Sequence, residues 1–345
     1  MIEIICRDNL DNIYKDLRDW VKQIDYCSLA RNPNPKVVPI LIHFIFHKVY
    51  SLNKNDFRRF FFDLSENPNI SSIIAECKTS RNHLYWYIIS QNPNAIPIIE
   101  EAFFENDLFN KNKSSFWNYN RNYFYKIEWF GLSKNPNAIH LLEKRMDKVK
   151  WKGLSMNPRA IHILEKNLDK VDWSKLSGNS RAIHILEKNL DKVDWSILSG
   201  NPNAIHILED NLDKVDWKQL SSNKNAIHIL KKNLEKLNES CWAILSENPN
   251  ALSILENNLD KIHWIEFSYN PKANILIENN FSKKKESIYW CCLSRNPNAV
   301  PLLEKHLDKV EWRELSTNPS AIHILEKNLD KVNWSSLSEN PAIFL

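Results

Sequence analysis

The chain has 345 residues, a formal net charge of +4, only 4 glycines and as many as 13 tryptophans. So few glycines exclude the glycine-rich loops that cradle phosphates, and neither the dinucleotide-binding motif nor the P-loop motif occurs. The small net charge does not indicate a polycation that binds nucleic acid through its overall charge. The length alone predicts two domains of ordinary size, but the repeats described below predict one elongated solenoid domain instead.

The N-terminal segment is predicted to be a capping helix. Residues 8–24 carry apolar side chains at helical spacing, so we assign residues 1–25 to a helix that covers the first repeat. Acidic residues come too early for a secretory signal, and the longest apolar stretch is too short to span a bilayer. The scattered cysteines, without a C-x-x-C pair, favour reduced thiols. These features predict an intracellular protein that does not bind membranes.

A repeat with a period of 22 residues organises the rest of the chain. Tryptophan recurs at this spacing, with single steps of 25 and 26 residues, and opens the phrase Trp-x-x-Leu-Ser-x-Asn-Pro-x-Ala-Ile. We number this tryptophan position 1 and name each repeat after the residue there. Residues 129–345 are predicted to hold regular repeats, the last one truncated, and residues 26–128 divergent ones. A degenerate repeat is expected between Trp86 and Trp129.

The sequence pattern of each repeat predicts two helices. Positions 1–5 suffice for a short α or 3₁₀ helix, which Asp172 and Asp194 are placed to cap. Asn at position 7 followed by Pro at position 8 predicts the start of a longer helix. Its apolar positions 10, 11, 14, 18 and 21 form one buried face, whereas positions 12, 15, 16 and 19 face solvent. Stacking of such repeats predicts an all-α fold, an α-solenoid.

Asparagine at position 17 falls inside the predicted buried face. An unpaired buried amide costs on the order of 1–3 kcal/mol, so we expect these side chains to bind the backbone of the adjacent repeat or of the turn between repeats, as a ladder. A polar stripe on the inner surface is the alternative. They are Asn167, Asn189, Asn211, Asn233, Asn258 and Asn328.

A row of histidines occupies position 12. It admits three interpretations: a metal or proton-sensing ladder, a partner-binding stripe, or a solvated face. Zinc needs ligands that converge at about 2 Å, whereas stacked helices supply one imidazole each at wide spacing, so the pattern favours the solvated face. The residues are His140, His162, His184, His206, His228 and His323.

Positions 2, 3, 6 and 9 vary most from repeat to repeat, and position 6 illustrates this. Varied side chains at one fixed place are what a repeat protein uses to recognise a partner, although unconstrained loop positions drift in the same way. The candidate partner-binding residues there are Lys134, Met156, Ser222, Tyr269, Arg295 and Thr317. The sequence contains no catalytic motif such as G-x-S-x-G or H-E-x-x-H. We therefore expect that the protein is not an enzyme and that it binds neither a cofactor nor a metal.

Residues 109–126 combine aromatic and basic side chains without an acid. Such a mixture suits single-stranded nucleic acid, through stacking and phosphate contacts. The competing interpretation is the degenerate repeat, which uses some of these aromatics as core and leaves Tyr119, Arg121 and Tyr123 as candidates for binding.

The C-terminus stops inside a repeat without a polar cap. We expect an exposed last layer that mediates end-to-end self-association, unless the chain is a truncated form. The layer consists of Trp334, Leu337, Ile343, Phe344 and Leu345.

The phrase Asn-Pro-Asn-Ala-Ile-His-Ile-Leu-Glu, clearest at residues 201–209, resembles tandem repeats in proteins of Mimivirus-like giant viruses of amoebae. A looser likeness is to leucine-rich-variant repeats, which alternate α and 3₁₀ helices. The resemblance implies a viral repeat protein, in the host cytoplasm or the virion, but no particular activity. We therefore expect a non-catalytic scaffold that binds host or virion proteins, with a single-stranded nucleic-acid-binding solenoid as the alternative.

Overall fold

The computed structural model describes residues 17, 23–111, 127–284 and 288–344. Over these residues the chain is all-α, and a repeat of about 22 residues confirms the α-solenoid fold class. The described part contains no strand, only an isolated antiparallel bridge between Leu17 and Phe344. The fold divides into two compact units, Met1–Lys150 with Asn328–Leu345, and Trp151–Lys327.

The first unit holds the divergent repeats, the Trp129 repeat and the last repeat. Its α-helices are Tyr26–Leu29, Val37–His47, Lys54–Glu66, Ile70–Glu76, Trp86–Ile89, Ile96–Lys111, Trp129–Lys134, Ile139–Lys144 and Trp334–Glu339. Its 3₁₀ helices are Val49–Ser51, Lys78–His83, Pro93–Ala95, Pro136–Ala138 and Pro341–Ile343.

The second unit holds the regular repeats. Its α-helices are Trp151–Ser155, Ile161–Glu165, Trp173–Ser177, Ile183–Glu187, Trp195–Ser199, Ile205–Glu209, Trp217–Ser222, Ile227–Lys232, Glu239–Glu247, Leu252–Leu255, Trp264–Phe267, Asn274–Lys284, Trp290–Arg295, Val300–Lys305, Trp312–Thr317 and Ile322–Glu326. Its 3₁₀ helices are Leu234–Lys236, Leu259–Lys261, Pro297–Ala299 and Pro319–Ala321.

The Trp195 repeat shows how the local sequence sets these boundaries. Asp194 caps the short helix by accepting a hydrogen bond from the backbone N–H of Ile197 at 3.2 Å, as predicted. The Asn201 Oδ1 accepts from the backbone N–H of Asn203 at 3.1 Å. Asn201 therefore caps the turn at residues 202–203, whereas the α-helix that it was predicted to begin starts only at Ile205. The second helical segment is not one uninterrupted α-helix, because its regular part spans only Ile205–Glu209 and hydrogen-bonded turns continue it.

The early end of that helix changes which residues are buried. Ala204, Ile207, Leu208 and Val215 are buried, and they form the core layer of the repeat. Leu212 at position 18 is 39% exposed, so its predicted place in the core is wrong. A wheel drawn for a continuous helix does not apply beyond position 15, where the chain leaves the helix.

An asparagine ladder joins neighbouring repeats through position 7. The Asn223 Nδ2 donates to the carbonyl oxygens of Ser199 and Asn201 in the preceding repeat, at 3.1 and 3.0 Å. The Ser199 Oγ accepts from the backbone N–H of Asp216 at 3.0 Å, which adds a third bond at the same junction. Asparagine at position 7 is buried in each of these repeats: Asn32, Asn67, Asn92, Asn135, Asn157, Asn179, Asn201, Asn223, Asn248, Asn270, Asn296, Asn318 and Asn340.

The ladder predicted at position 17 is wrong. The Nδ2 of Asn167 donates to the carbonyl oxygen of Ile163 in its own repeat at 2.9 Å, and that of Asn211 donates to Ile207 at 2.9 Å. Because the α-helix has already ended there, the side chain turns back to a carbonyl of the last helical turn. The amide remains half-buried and does not reach the adjacent repeat.

The Trp129 repeat packs directly on the Trp86 repeat. The Asn135 Nδ2 donates to the carbonyl oxygens of Ser90 and Asn92, at 3.2 and 3.1 Å. No degenerate repeat is therefore inserted in the ladder between them, and the helix Ile96–Lys111 continues through the place where its first position was expected. Residues 112–126 lie outside the described residues.

The first and last repeats pack against each other inside the first unit. The Asn32 Nδ2 donates to the carbonyl oxygens of Ser338 and Asn340, at 3.0 and 2.9 Å. The backbone N–H of Asp25 donates to the Ser338 Oγ at 2.9 Å, and the Asn34 Nδ2 donates to the carbonyl of Pro341 at 2.9 Å. These bonds repeat the pattern found at the other junctions.

This terminal junction corrects the expectation of an exposed last layer. Leu337, Ile343 and Phe344 are buried, because the first repeat packs against them as the next repeat would. The free apolar end on which self-association was predicted is absent, while Leu345 lies outside the described residues. The proposed capping helix, apart from Leu17 and residues 23–25, lies outside them as well.

Candidate interaction surface

Position 6 lies at the end of the short helix or just after it, and the buried asparagine that follows fixes the backbone there in each repeat. In the second unit Met156 is 39% exposed and Tyr269 is 55% exposed. Ser222 is exposed as well, and the guanidinium side chain of Arg295 is 67% exposed. Thr317 is half-buried. We call the exposed side chains at this position in the second unit the position-6 row.

Residues of the position-6 row contact position 3 of the following repeat. Arg295 forms an ion pair with Glu314, with 2.8 Å between Nη2 and Oε2. The Tyr269 hydroxyl is hydrogen-bonded to Cys292, and this bond together with the nearby thiol raises the pKa of Tyr269 to about 12. Burial raises the pKa of the Cys292 thiol, so both groups are neutral at physiological pH.

The same spacing brings two carboxylates within electrostatic range of each other. Partial burial raises the pKa of Glu247, at position 6, and the negative charge of Glu266, at position 3 of the next repeat, raises it further. The sequence analysis does not predict this pair of carboxylates. The pair could have been identified from the spacing between position 6 of one repeat and position 3 of the next.

The remaining candidates occupy different surroundings. Ser222 Oγ donates to the carbonyl of Gln219, and Thr317 Oγ1 donates to the carbonyl of Glu314, both at 2.7 Å. Lys134, in the first unit, is half-buried, and its ammonium lies 5.8 Å from the ring centre of Phe130. The other candidates lie outside the described residues: Tyr119, Arg121 and Tyr123.

The histidine row lies on the exposed face, as predicted for position 12. His184 Nε2 is 2.7 Å from Glu165 Oε1, and His228 Nε2 is 2.8 Å from Glu209 Oε1. The glutamate belongs in each case to position 15 of the preceding repeat. Both side chains are about half exposed, so each pair contributes at most about 1 kcal/mol. The same arrangement occurs at His140, His206 and His323.

Lysine at position 20 covers the tryptophan of its own repeat. The ammonium of Lys170 lies 5.1 Å from the ring centre of Trp151, and that of Lys214 lies 4.8 Å from Trp195. The Lys170 Nζ also donates to the Asn167 Oδ1 at 3.1 Å. These tryptophans are half-buried, so the lysine stem shields an indole that the core does not enclose completely.

The described part of the chain contains no cluster of three or more histidine, cysteine or acidic residues that could hold a metal ion. Within the same residues no helix is both long and apolar enough to cross a bilayer. Comparisons of the chain with protein-family models, curated proteins and solved structures find no match. The function is therefore inferred from the geometry of the repeats.

Proposed function

We propose that the chain is a non-catalytic repeat scaffold that binds other proteins through the position-6 row. The observation that carries this proposal is the contrast between positions 6 and 7. Asparagine at position 7 is constant and buried, so it holds the backbone in the same place in each repeat. Position 6, one residue before it, presents a thioether, a hydroxyl, a phenol and a guanidinium along one unit.

The residue types in the row suit protein recognition. Tyrosine and arginine are enriched among the residues that dominate binding energy at interfaces, and Tyr269 and Arg295 are both exposed. Their contacts with Cys292 and Glu314 hold the side chains in place before a partner binds. Such preorganisation lowers the entropy lost on association.

The source of the partner follows from the resemblance of the repeat. We propose that the protein is viral and acts on host or virion partners, because the repeat resembles those of Mimivirus-like giant viruses. This part of the proposal rests on the sequence alone.

A capture experiment with matched variants tests the role of the row. Met156→Ala/Tyr269→Ala/Arg295→Ala removes three exposed side chains of the row. His184→Ala/His206→Ala/His228→Ala removes three exposed side chains of the histidine row instead. Extracts of infected amoebae are passed over the wild type and both variants, after thermal unfolding has shown that all three are folded.

We expect the same proteins to be retained by the wild type and by the histidine variant, and to be lost from the position-6 variant. Equal retention by the position-6 variant would refute the proposed surface.

A further inference from the structure

The second unit contains a groove that begins where one repeat is longer than the others. The step from Trp217 to Trp242 is 25 residues instead of 22. The extra residues extend the short helix to nine residues, Glu239–Glu247, and Asn238 caps it by accepting from the backbone N–H of Cys241 at 3.1 Å. The added turn forms one wall of the groove, and Trp242 is 6% exposed.

Apolar side chains form part of the lining of this groove. It is lined by Leu234 and Leu237 from the Trp217 repeat, and by Trp264 and Ile265 two repeats further on. The groove is open and has a volume of about 840 Å³, within the range of about 300–1,000 Å³ found for ligand sites. Ile265 is 53% exposed, so an apolar side chain is available to a partner.

The rim carries an excess of negative charge. The carboxylates of Glu235, Glu239, Asp260 and Glu266 line the groove, against the single ammonium of Lys261. The Lys261 Nζ lies 3.5 Å from the Asp260 carboxylate and neutralises that charge alone. His263 also lines the rim, with its Nδ1 3.9 Å from Glu266 Oε2. A local acidic rim in a chain of net charge +4 selects for a cationic ligand.

We propose that this groove binds a basic amphipathic segment of a partner protein, with apolar side chains against the apolar part of the lining and lysine or arginine beside its carboxylates. The inference rests on the proposed function, since it names one class of partner for the scaffold. Phosphate-rich ligands such as nucleic acid or an anionic membrane are repelled by the same carboxylates. A helix with apolar residues at positions i, i+3, i+4 and i+7 presents both kinds of group.

The probe for this groove is a short fluorescein-labelled peptide of leucine and lysine with that helical spacing. A leucine–glutamate counterpart and a scrambled leucine–lysine peptide test the roles of charge and pattern. Glu235→Lys/Glu239→Lys reverses two exposed rim charges and leaves the position-6 row intact. Glu256→Lys/Glu326→Lys reverses two exposed charges outside the groove and is the matched control.

Binding is measured by fluorescence anisotropy on the full chain, at low and at physiological salt. We expect the patterned basic peptide to bind the wild type and the control variant alike, and to bind the rim variant about tenfold more weakly. The acidic and scrambled peptides should bind more weakly than the patterned one.

Equal binding of the patterned peptide to the rim variant would overturn the proposal, and so would equal binding of the scrambled peptide or no binding at all. If proteins are still captured through the position-6 row in those cases, the scaffold function stands and the groove alone is refuted. If capture fails while the patterned peptide binds as expected, the groove stands and the position-6 row is refuted.

Discussion

At the residue scale, asparagine at position 7 has two roles, and only one could be predicted from the sequence. Its cap depends on a bond to a residue two positions later, which the Asn-Pro pair specifies locally. Its bonds to the preceding repeat depend on which carbonyls lie opposite, as Asn223 shows with Ser199 and Asn201. The sequence of a repeat does not specify which carbonyls of the preceding repeat lie opposite this side chain. The sequence pattern instead predicts the ladder at position 17, because it predicts a helix that continues past Glu209, where the α-helix in fact ends.

Asn201→Ala tests the ladder. The substitution removes the cap and leaves the Ser177 carbonyl without the donor that now lies 2.9 Å away. An unsatisfied buried group costs about 1–3 kcal/mol, so we expect the free energy of unfolding to fall by about that amount in urea titration. Asn211→Ala is the control, since it removes a half-buried bond within one repeat. If the two variants lose the same stability, position 7 does not carry the ladder.

Glu247→Gln tests the carboxylate pair. The pKa of Glu247 is raised above its ordinary 4.5 in the folded chain by burial and by Glu266, so the folded state binds a proton more readily than the unfolded state. The resulting penalty appears as pH rises from 4.5 through the raised value and is complete above it. We expect the variant to be more stable than the wild type at neutral pH and equal to it in acid. Glu256→Gln serves as control, and an equal gain there would argue against the pair.

At the element scale, the short helices and the exposure of position 6 follow from local patterning. The contact between His184 and Glu165 could also have been found, because each histidine at position 12 follows a repeat with glutamate at position 15. The groove could not be predicted from an irregular spacing alone. The three extra residues could have formed a loop, and only the helix that begins at Glu239 makes them a wall.

Asp25→Asn tests an element contact, the junction between the helices Tyr26–Leu29 and Trp334–Glu339. Burial by itself would raise the pKa of Asp25, but hydrogen bonds from Ser335, Ser28 and the backbone lower it below its ordinary 3.8. A lowered folded pKa contributes stability that is present above 3.8 and is lost as pH falls through the lower value.

We therefore expect Asp25→Asn to be less stable than the wild type at neutral pH, with a difference that shrinks below pH 3.8. Urea unfolding at a series of pH values measures this difference. Asp169→Asn, at an exposed position, is expected to change little. A difference for Asp25→Asn that did not depend on pH would show that its charge is not involved.

At the scale of the whole molecule, the all-α repeat architecture could be predicted and the pairing of the first and last repeats could not. Each repeat specifies contacts with its neighbours, which is why a single repeated phrase was enough to assign the fold class. The bond from Asn32 to Asn340 joins residues 308 positions apart in the sequence. No local pattern marks these two repeats as neighbours, although Asn32 and Asn340 stand at the same position of the phrase.

Asn32→Ala tests that pairing by hydrogen exchange. The substitution removes the donor to the carbonyls of Ser338 and Asn340 and also the cap on the backbone N–H of Asn34. Loss of the cap alone would raise exchange only near Asn34. Loss of the junction must also raise the rate of amide hydrogen exchange in Trp334–Glu339, because repeats are stabilised by their neighbours. We expect faster exchange at both ends, and faster exchange confined to the first repeat would show that the last repeat does not depend on it.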